Sequence, residues 1–529
     1  MEHLDHKKKI TIMIAIMSAM LFAALNQTIV GTALPRIIAE LGGIEYFSWV
    51  FTMFMLASSI TAILVGKLSD IYGRKPFILI GIGVFTVGSL LAGFSTSIFE
   101  LIAYRGIQGL GGGLIMSTAF TAVGDLFSPR ERGKWQGIMG SVFGLASVFG
   151  PTLGGWIVDN ADWHWVFWVF LPFGIVAFIL IWSLFPSVEK KPGEKVDYVG
   201  SLFLTTTIVP LLLAFSWAGS KYEWASGQII GLFLATIASL AIFILVEKKA
   251  KSPVLPLDLF KNGIFSLANI VGFILGAGMF GAAMYIPFFI QGVIGESATA
   301  SGLIMMPMTL SMVAASTIGG QFMTKTGKYK MLAITGLAVM AVGMFSLSAM
   351  GPSTSVTMVV VNNILVGLGL GMSFPVFTLI VQNAVSQHYL GVATASSQLF
   401  RQIGGTVGVA LMGTMMNVRM NEQMNEGSQG AGDLAKNPEL AQKLQGLDPQ
   451  VLMDPERLSQ IQQQIPPQFQ EAFSAVVRML QDSLSYALTG VYFTAALIII
   501  VGVVLTFFIK EVPLRTSQRT EEKKEEEAV

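Results

Sequence analysis

Apolar residues run through this chain in long blocks, and the short breaks between them carry most of its charge. Blocks of roughly 20 residues match the length of helix that crosses a bilayer core. They fall at 11–34, 47–66, 77–95, 99–121, 137–157, 165–186, 198–218, 226–246, 263–290, 300–322, 331–350, 356–380, 391–417 and 485–509. The pattern predicts fourteen membrane-spanning helices and an all-α, polytopic membrane protein. The block at 263–290 is long enough to tilt or break.

Two stretches break the pattern. Residues 419–484 are polar, rich in Gln, Asn and Glu. Within them, Pro466 and Pro467 open an apolar periodicity through Phe469, Phe473, Val476, Val477 and Leu480. That spacing predicts an amphipathic helix leading into the last span, either lying against the outer face or acting as a gate. The tail at 520–528 is a run of Glu and Lys, expected to be solvated and disordered.

The organising feature is a charged, glycine-bounded turn from Gly66 to Lys75 that contains Asp70, Gly73 and Arg74. It returns in weakened form from Gly320 to Lys330, with the same step from Gly66 to Gly73 as from Gly320 to Gly327. Further along, Gly109, Gly111 and Gly113 match Gly367, Gly369 and Gly371, and Gly150 matches Gly408, all at an offset of 258 residues. The chain is therefore expected to hold two related six-helix halves, at 1–190 and 263–529, with two unpaired spans inserted at 191–262. An internal repeat in so apolar a protein points to a secondary transporter.

Lys and Arg in the short loops set the orientation. With the N-terminus inside, the inner segments hold nineteen of them, against Arg36 and Lys221 in the short outer loops. Both termini are expected to be cytoplasmic. Only 12% of the 529 residues are charged, against about 25% in a soluble domain, and the mean hydropathy is +0.66. A net charge of +1 offers no field for nucleic acid. The absence of cysteine excludes disulfides and thiol chemistry, and four scattered histidines argue against a metal centre. The first apolar run lacks a small-residue cleavage site and is expected to be a retained span.

Charges within the spans are rare, so each is informative. Arg105 and Arg401 lie well inside apolar runs, where an arginine costs about 2.5–3.5 kcal/mol on insertion scales. Such a residue faces a cavity or an acidic partner, or else snorkels and bonds backbone carbonyls. At 1.5 Å per residue, Asn26 and Arg105 differ in depth by only about 3 Å. No Asp or Glu occupies the middle of any span. In the fifth span, Gly140 with Gly144 and Gly150 with Gly154 form a flat face for close helix packing, and Pro151 removes a backbone donor and should bend the helix. The density of small residues there favours a moving interface over plain packing. The glycine clusters at Gly109 to Gly113 and Gly367 to Gly371 lie in apolar helices with no preceding strand, and no Walker sequence is present, so they are helix-packing residues.

These residues together resemble the major facilitator superfamily, and within it the fourteen-span drug:proton antiporters of bacteria. The turn from Gly66 to Lys75 resembles the superfamily's cytoplasmic-loop motif, and Arg105, Gln108, Gly109 and Gly111 its fourth-span motif. Gly150, Pro151, Gly154 and Gly155 resemble the antiporter motif, and Leu25 to Val30 with Ala33-Leu34-Pro35 the first-span signature. Trp163 to Pro172 resembles the tryptophan-rich entry to the sixth span. The resemblance implies a major facilitator fold, a cytoplasmic gate at Gly66, Asp70, Gly73 and Arg74, and proton transfer involving Arg105. It also implies that the fifth span seals the halves against leakage. The family signature has aspartate where this chain has Asn26, so Asn26 is read as a substitution that holds a protonated-like state, with Arg105 the partner left behind. His164 and Phe170 also replace the usual arginine and asparagine.

The expected activity is export of amphipathic, often cationic drugs and dyes by alternating access, driven by the proton gradient of a bacterial cell membrane. No cofactor is expected, and no enzyme constellation appears. The partners are small amphipathic substrates, protons and the lipid bilayer, and the chain is expected to be a monomer. From position alone, Gln27, Phe143, Met279, Tyr285, Gln398 and Phe400 are candidate cavity residues, though for any single one of them core packing is the stronger reading. Two rivals are an exporter or flippase of lipids or a dedicated metabolite, and a non-transporting receptor or scaffold built on the 419–484 loop.

Overall fold

A computed structural model describes residues 5–41, 47–186, 197–219, 222–250, 253–296, 298–386, 389–430, 455–464 and 470–513. The expectations for Pro466, Pro467 and Phe469, for 431–454 and for the tail at 520–528 lie outside these residues. All the regular structure described is helical. The first group of helices comprises α1 (His6–Leu41), α2 (Phe47–Tyr72), α3 (Arg74–Ala92), α4 (Ile98–Leu126), α5 (Pro129–Asn160), α6 (Trp165–Trp168) and α7 (Leu171–Leu184). An inserted pair follows, α8 (Tyr198–Trp217) and α9 (Gly227–Glu247). The last group comprises α10 (Gly263–Ala283), α11 (Ile286–Phe288), α12 (Ala298–Thr326), α13 (Lys330–Ser348), α14 (Val356–Asn383), α15 (Leu390–Gly430), α16 (Pro455–Gln464) and α17 (Gln470–Phe507).

Among the described residues, twelve helices are long and apolar enough to cross a membrane. The chain is a multi-pass membrane protein. Helices α4 and α15 pack within the same bundle but are less apolar, because they carry Arg105, Gln108 and a glycine cluster, and Gln398, Arg401 and Gln402. The long block at 263–290 breaks between α10 and α11, just before Pro287. Proline lacks an N–H and disfavours helical geometry in the residue before it. The amphipathic stretch and the last span are one helix, α17, in which Phe473 is buried and Leu480 belongs to the core of the last group. No glycine or proline interrupts that helix before Gly490, so nothing stops it from running on.

Two separate cores hold the bundle. One is built from α1 to α7, around Phe22, Phe54, Phe85 and Phe167. The other is built from α10 to α15 and α17, around Phe265, Phe289, Phe377 and Tyr492. A third, smaller cluster joins Leu204, Ile208 and Leu212 of α8 to Leu56 of α2 and to Val392 and Leu399 of α15. The turn after α8 is pinned at both sides: Trp217 packs on Trp49 at 5.4 Å between ring centroids, and Trp224 Nε1 donates to Thr414 Oγ1 at 2.8 Å.

The internal repeat is visible in how the helices touch. A Cβ on Gly109 would collide with the carbonyl of Phe54, and one on Gly113 with that of Ser58, both on α2. In the other half, a Cβ on Gly367 would collide with the carbonyl of Met308, and one on Gly371 with that of Met312, both on α12. The pairs Phe54/Met308 and Ser58/Met312 are separated by the same step as Gly66 and Gly320. Bare backbone is what allows α4 to lie against α2, and α14 against α12, at these crossings.

Candidate functional site: a buried arginine network and an inter-half latch

Inside the first half, four helices converge on Arg105. Its side chain is fully buried, together with those of Asn26, Gln108 and Ser89. The guanidinium donates from Nη1 to Gln108 Oε1 (2.9 Å) and Asn26 Oδ1 (3.5 Å), and from Nε to the Val50 carbonyl (3.4 Å). Gln108 Nε2 donates in turn to Asn26 Oδ1 (3.0 Å) and Ser89 Oγ (2.7 Å). Arg105 also stacks 4.4 Å from the centre of the Phe54 ring. Two buried donors find no acceptor among the described residues: Asn26 Nδ2 and Arg105 Nη2. The cluster is one acceptor group short.

The second half keeps the outline of this network without the charge. Asn363 stands at the repeat position of Arg105 and donates to the Ile304 carbonyl at 3.2 Å. Ile304 is the repeat partner of Val50 on the α2/α12 step. Ser346 Oγ, near the repeat position of Ser89, donates to Asn362 Oδ1 at 2.7 Å.

At one end of the bundle the two halves are tied together. Gly73 takes φ 86°, a left-handed conformation open to glycine, and turns α2 directly into α3. That reversal brings Arg74 back to Asp70, with which it forms a buried ion pair. Arg74 also donates from Nε to Asp125 Oδ2 (2.9 Å) and from Nη1 to Ser69 Oγ (2.6 Å). The Asp70 carboxylate reaches across to the first turn of α15, where Oδ1 accepts from Gly391 N (3.2 Å) and Oδ2 from Val392 N (3.3 Å). A carboxylate there satisfies two otherwise unpaired helix-end donors and faces the positive end of the helix dipole. Gly66 and Gly391 let the backbones of α2 and α15 meet, since a Cβ on either would strike the other's carbonyl.

The same end carries further ties that the sequence reading did not single out. Gln136 Nε2 donates to Gln382 Oε1 at 2.8 Å, and Gln382 Nε2 donates to Thr394 Oγ1 at 2.9 Å. Ser316 Oγ donates to the Gly137 carbonyl at 3.0 Å. Along this seam the backbone at Gly133 meets Gly320, and Gly144 meets Val313. A buried glutamine in a membrane helix, as at Gln382 on α14, was the available signal. Of the antiporter-motif residues, Gly150 packs against Thr28 of α1 and Gly154 is buried, while the side-chain positions at Pro151 and Gly155 lie outside the described residues.

A largely apolar cavity of about 560 Å³ opens between α2, the inserted α8, α10–α11 and α15. Of the six candidate cavity residues, Tyr285 lines it, its hydroxyl donating to the Val409 carbonyl at 3.1 Å. Met55, also in its wall, receives the amides of Gln27 and Gln402 at 3.9 and 3.7 Å. The others sit elsewhere. Phe143 stacks on Phe120, Met279 packs on the second core, and Phe400 lies 6.1 Å from Phe260. Gln398 carries a buried amide nitrogen without an acceptor. In the tryptophan segment, His164 pairs with Asp162 and stacks on Trp163, while Phe170 is buried in the first core. The hydrogen bond from His164 is the leading reason that the Asp162 carboxyl is held below the usual carboxylate range.

A family model described as Major Facilitator Superfamily matches residues 16–409. The chain is 40% identical over 526 residues to the multidrug transporter protein MdtP of Bacillus subtilis (strain 168), covering 98% of this chain and 96% of that one. It is 34% identical over 514 residues to multidrug resistance protein 3 of the same organism, covering 96% of each. Among solved structures it is similar in fold to the proton:xylose symporter XylE bound to 6-bromo-6-deoxy-D-glucose. That likeness has a TM-score of 0.62 at 14% identity, over 98% of this chain and 100% of that one. The human organic anion transporter MFSD10 (TETRAN) gives a TM-score of 0.62 at 13% identity, over 94% and 99%.

Proposed function

The chain belongs to the major facilitator superfamily, transporters rather than enzymes, and from that premise we propose that it is built as a multidrug efflux antiporter whose proton-coupling position, residue 26, is held by asparagine in a protonated-like form. Its cargo is amphipathic small molecules. The near full-length similarity to two Bacillus multidrug proteins supports that cargo class. With both termini in the cytoplasm of a bacterial cell, as the loop charges favour, the Asp70–Arg74 latch is the cytoplasmic gate, shut here, and the cargo path faces outward.

The observation that carries the coupling assignment is the pair of unpartnered donors, Asn26 Nδ2 and Arg105 Nη2. An aspartate at 26 would remove one orphan donor and supply an acceptor for the other. Its proton would then be governed by the neighbouring guanidinium, since an adjacent cation favours the ionised carboxyl. Asparagine matches the protonated acid in shape and cannot release a proton, so Asn26 holds the protonated-like form.

The cargo assignment is tested by loading proteoliposomes with ethidium and following its release without a pH gradient. The proposal predicts faster release than from protein-free liposomes, saturating with dye and competed by a second amphipathic drug. Release at the protein-free rate would contradict it.

A further inference from the structure

We propose that Arg401 and Gln398 form a recognition pair for an anionic oxygen, a carboxylate or phenolate, on the transported molecule. Arg401 lies eleven residues into α15, roughly 16 Å along the helix and so deep in the bundle. Its side chain is more than nine-tenths buried. The guanidinium stacks 4.0 Å from the centre of the Phe374 ring, and Phe374 in turn packs against the core of the first half. Arg401 therefore sits at the surface between the halves, where alternating access exposes cargo. Among the described residues it has no carboxylate and no hydrogen-bond acceptor. One turn earlier on the same helix, Gln398 Nε2 is a buried donor without an acceptor.

The fold does not require a cation here. At the 258-residue repeat, the position of Arg401 in the first half is Phe143, which simply stacks on Phe120, and the position of Gln398 is Gly140. Two donors have replaced two apolar positions on one helical face, in a region where each unsatisfied donor is costly. The ring of Phe374 holds the guanidinium in place by a cation–π contact while leaving its N–H edge unspent. An anionic oxygen is the group that would satisfy both donors. No acidic side chain stands at this depth to recognise a cation, so the pair is specific to anionic oxygens, and cations such as ethidium are left to the largely apolar cavity, whose wall includes neither residue.

This inference rests on the reading of the chain as a transporter, and its test is a binding measurement that does not depend on transport. The full chain in lipid nanodiscs is titrated with N-dansyl-leucine and with its methyl ester, and the ratio of the two Kd values is read from dansyl fluorescence. The wild-type chain is expected to bind the acid about ten- to a hundredfold more tightly, the range of a charge-assisted hydrogen bond. The ratio should fall to near one in Arg401→Gln, survive in Arg401→Lys, and drop severalfold in Gln398→Leu, which leaves the arginine in place. A wild-type ratio near one, or an unchanged ratio in Arg401→Gln and Gln398→Leu, would overturn the pair. Failure of ethidium release strikes the transport reading alone.

Discussion

Replacing Asp70 by Asn should open the end of the bundle that this residue ties. The carboxylate accepts two backbone N–H bonds from α15, at Gly391 and Val392, while its Arg74 partner keeps Asp125 if Asp70 loses its charge. Asparagine has one acceptor oxygen and no charge, so it cannot offer each N–H its own oxygen as the carboxylate does, and it loses the attraction of the helix end. A bond to a charged group is worth about 1.5–3 kcal/mol net, and the helix-end term is up to about 2 kcal/mol in partly buried sites. Because asparagine retains part of this, the loss is about 2–3 kcal/mol. That shifts the ratio of shut to open molecules by about 30- to 150-fold. The chain has no cysteine, so spin labels can be placed uniquely at Glu131→Cys and Lys328→Cys, two exposed positions on opposite sides of the seam. Pulsed electron–electron resonance should give one short distance for the unaltered background and a second, longer population in Asp70→Asn. Superimposable distributions would refute the argument that this carboxylate holds the halves together.

Gln382→Leu removes the acceptor of Gln136 and the donor to Thr394, and should cost about 1–3 kcal/mol for the polar groups left unpaired, lengthening the same label distance. Gly109→Ala forces a methyl into the Phe54 carbonyl and should destabilise the fold by about 1–3 kcal/mol, read as a lower thermal midpoint. Gly231→Ala on α9, where a Cβ meets nothing within 4 Å, should instead gain about 0.5–1 kcal/mol from helix propensity.

Much of this architecture was legible along the chain because membrane helices must satisfy their backbone internally, so length and apolarity mark most of them, α4 and α15 being the less apolar exceptions. The meeting of residues 26 and 105 could be read from depth, since a helix has a fixed rise. The ion pair of Asp70 with Arg74 could be read from a single turn. The far side of that latch could not, because Asp70 binds the bare N–H groups of Gly391 and Val392, and no side-chain motif announces a helix end used as a receptor. Cavity residues were the least legible. Position along a helix gives depth, but the face presented depends on neighbours. Phe400 turns to Phe260 beside the inserted helices, whereas α8, unmatched in the repeat, contributes Leu212 and Phe215 to the cavity wall.

The central claim is that residue 26 is where the proton couples to transport, and a single comparison reaches it most directly. Proteoliposomes holding this chain or its Asn26→Asp variant are given an imposed pH gradient, and uphill dye accumulation is followed together with lumenal pH. The account predicts that only the aspartate form accumulates dye against its gradient while moving protons, and that the chain with Asn26 merely equilibrates dye. Gradient-driven accumulation by the Asn26 chain at the rate of the aspartate form would place the proton elsewhere and contradict the account.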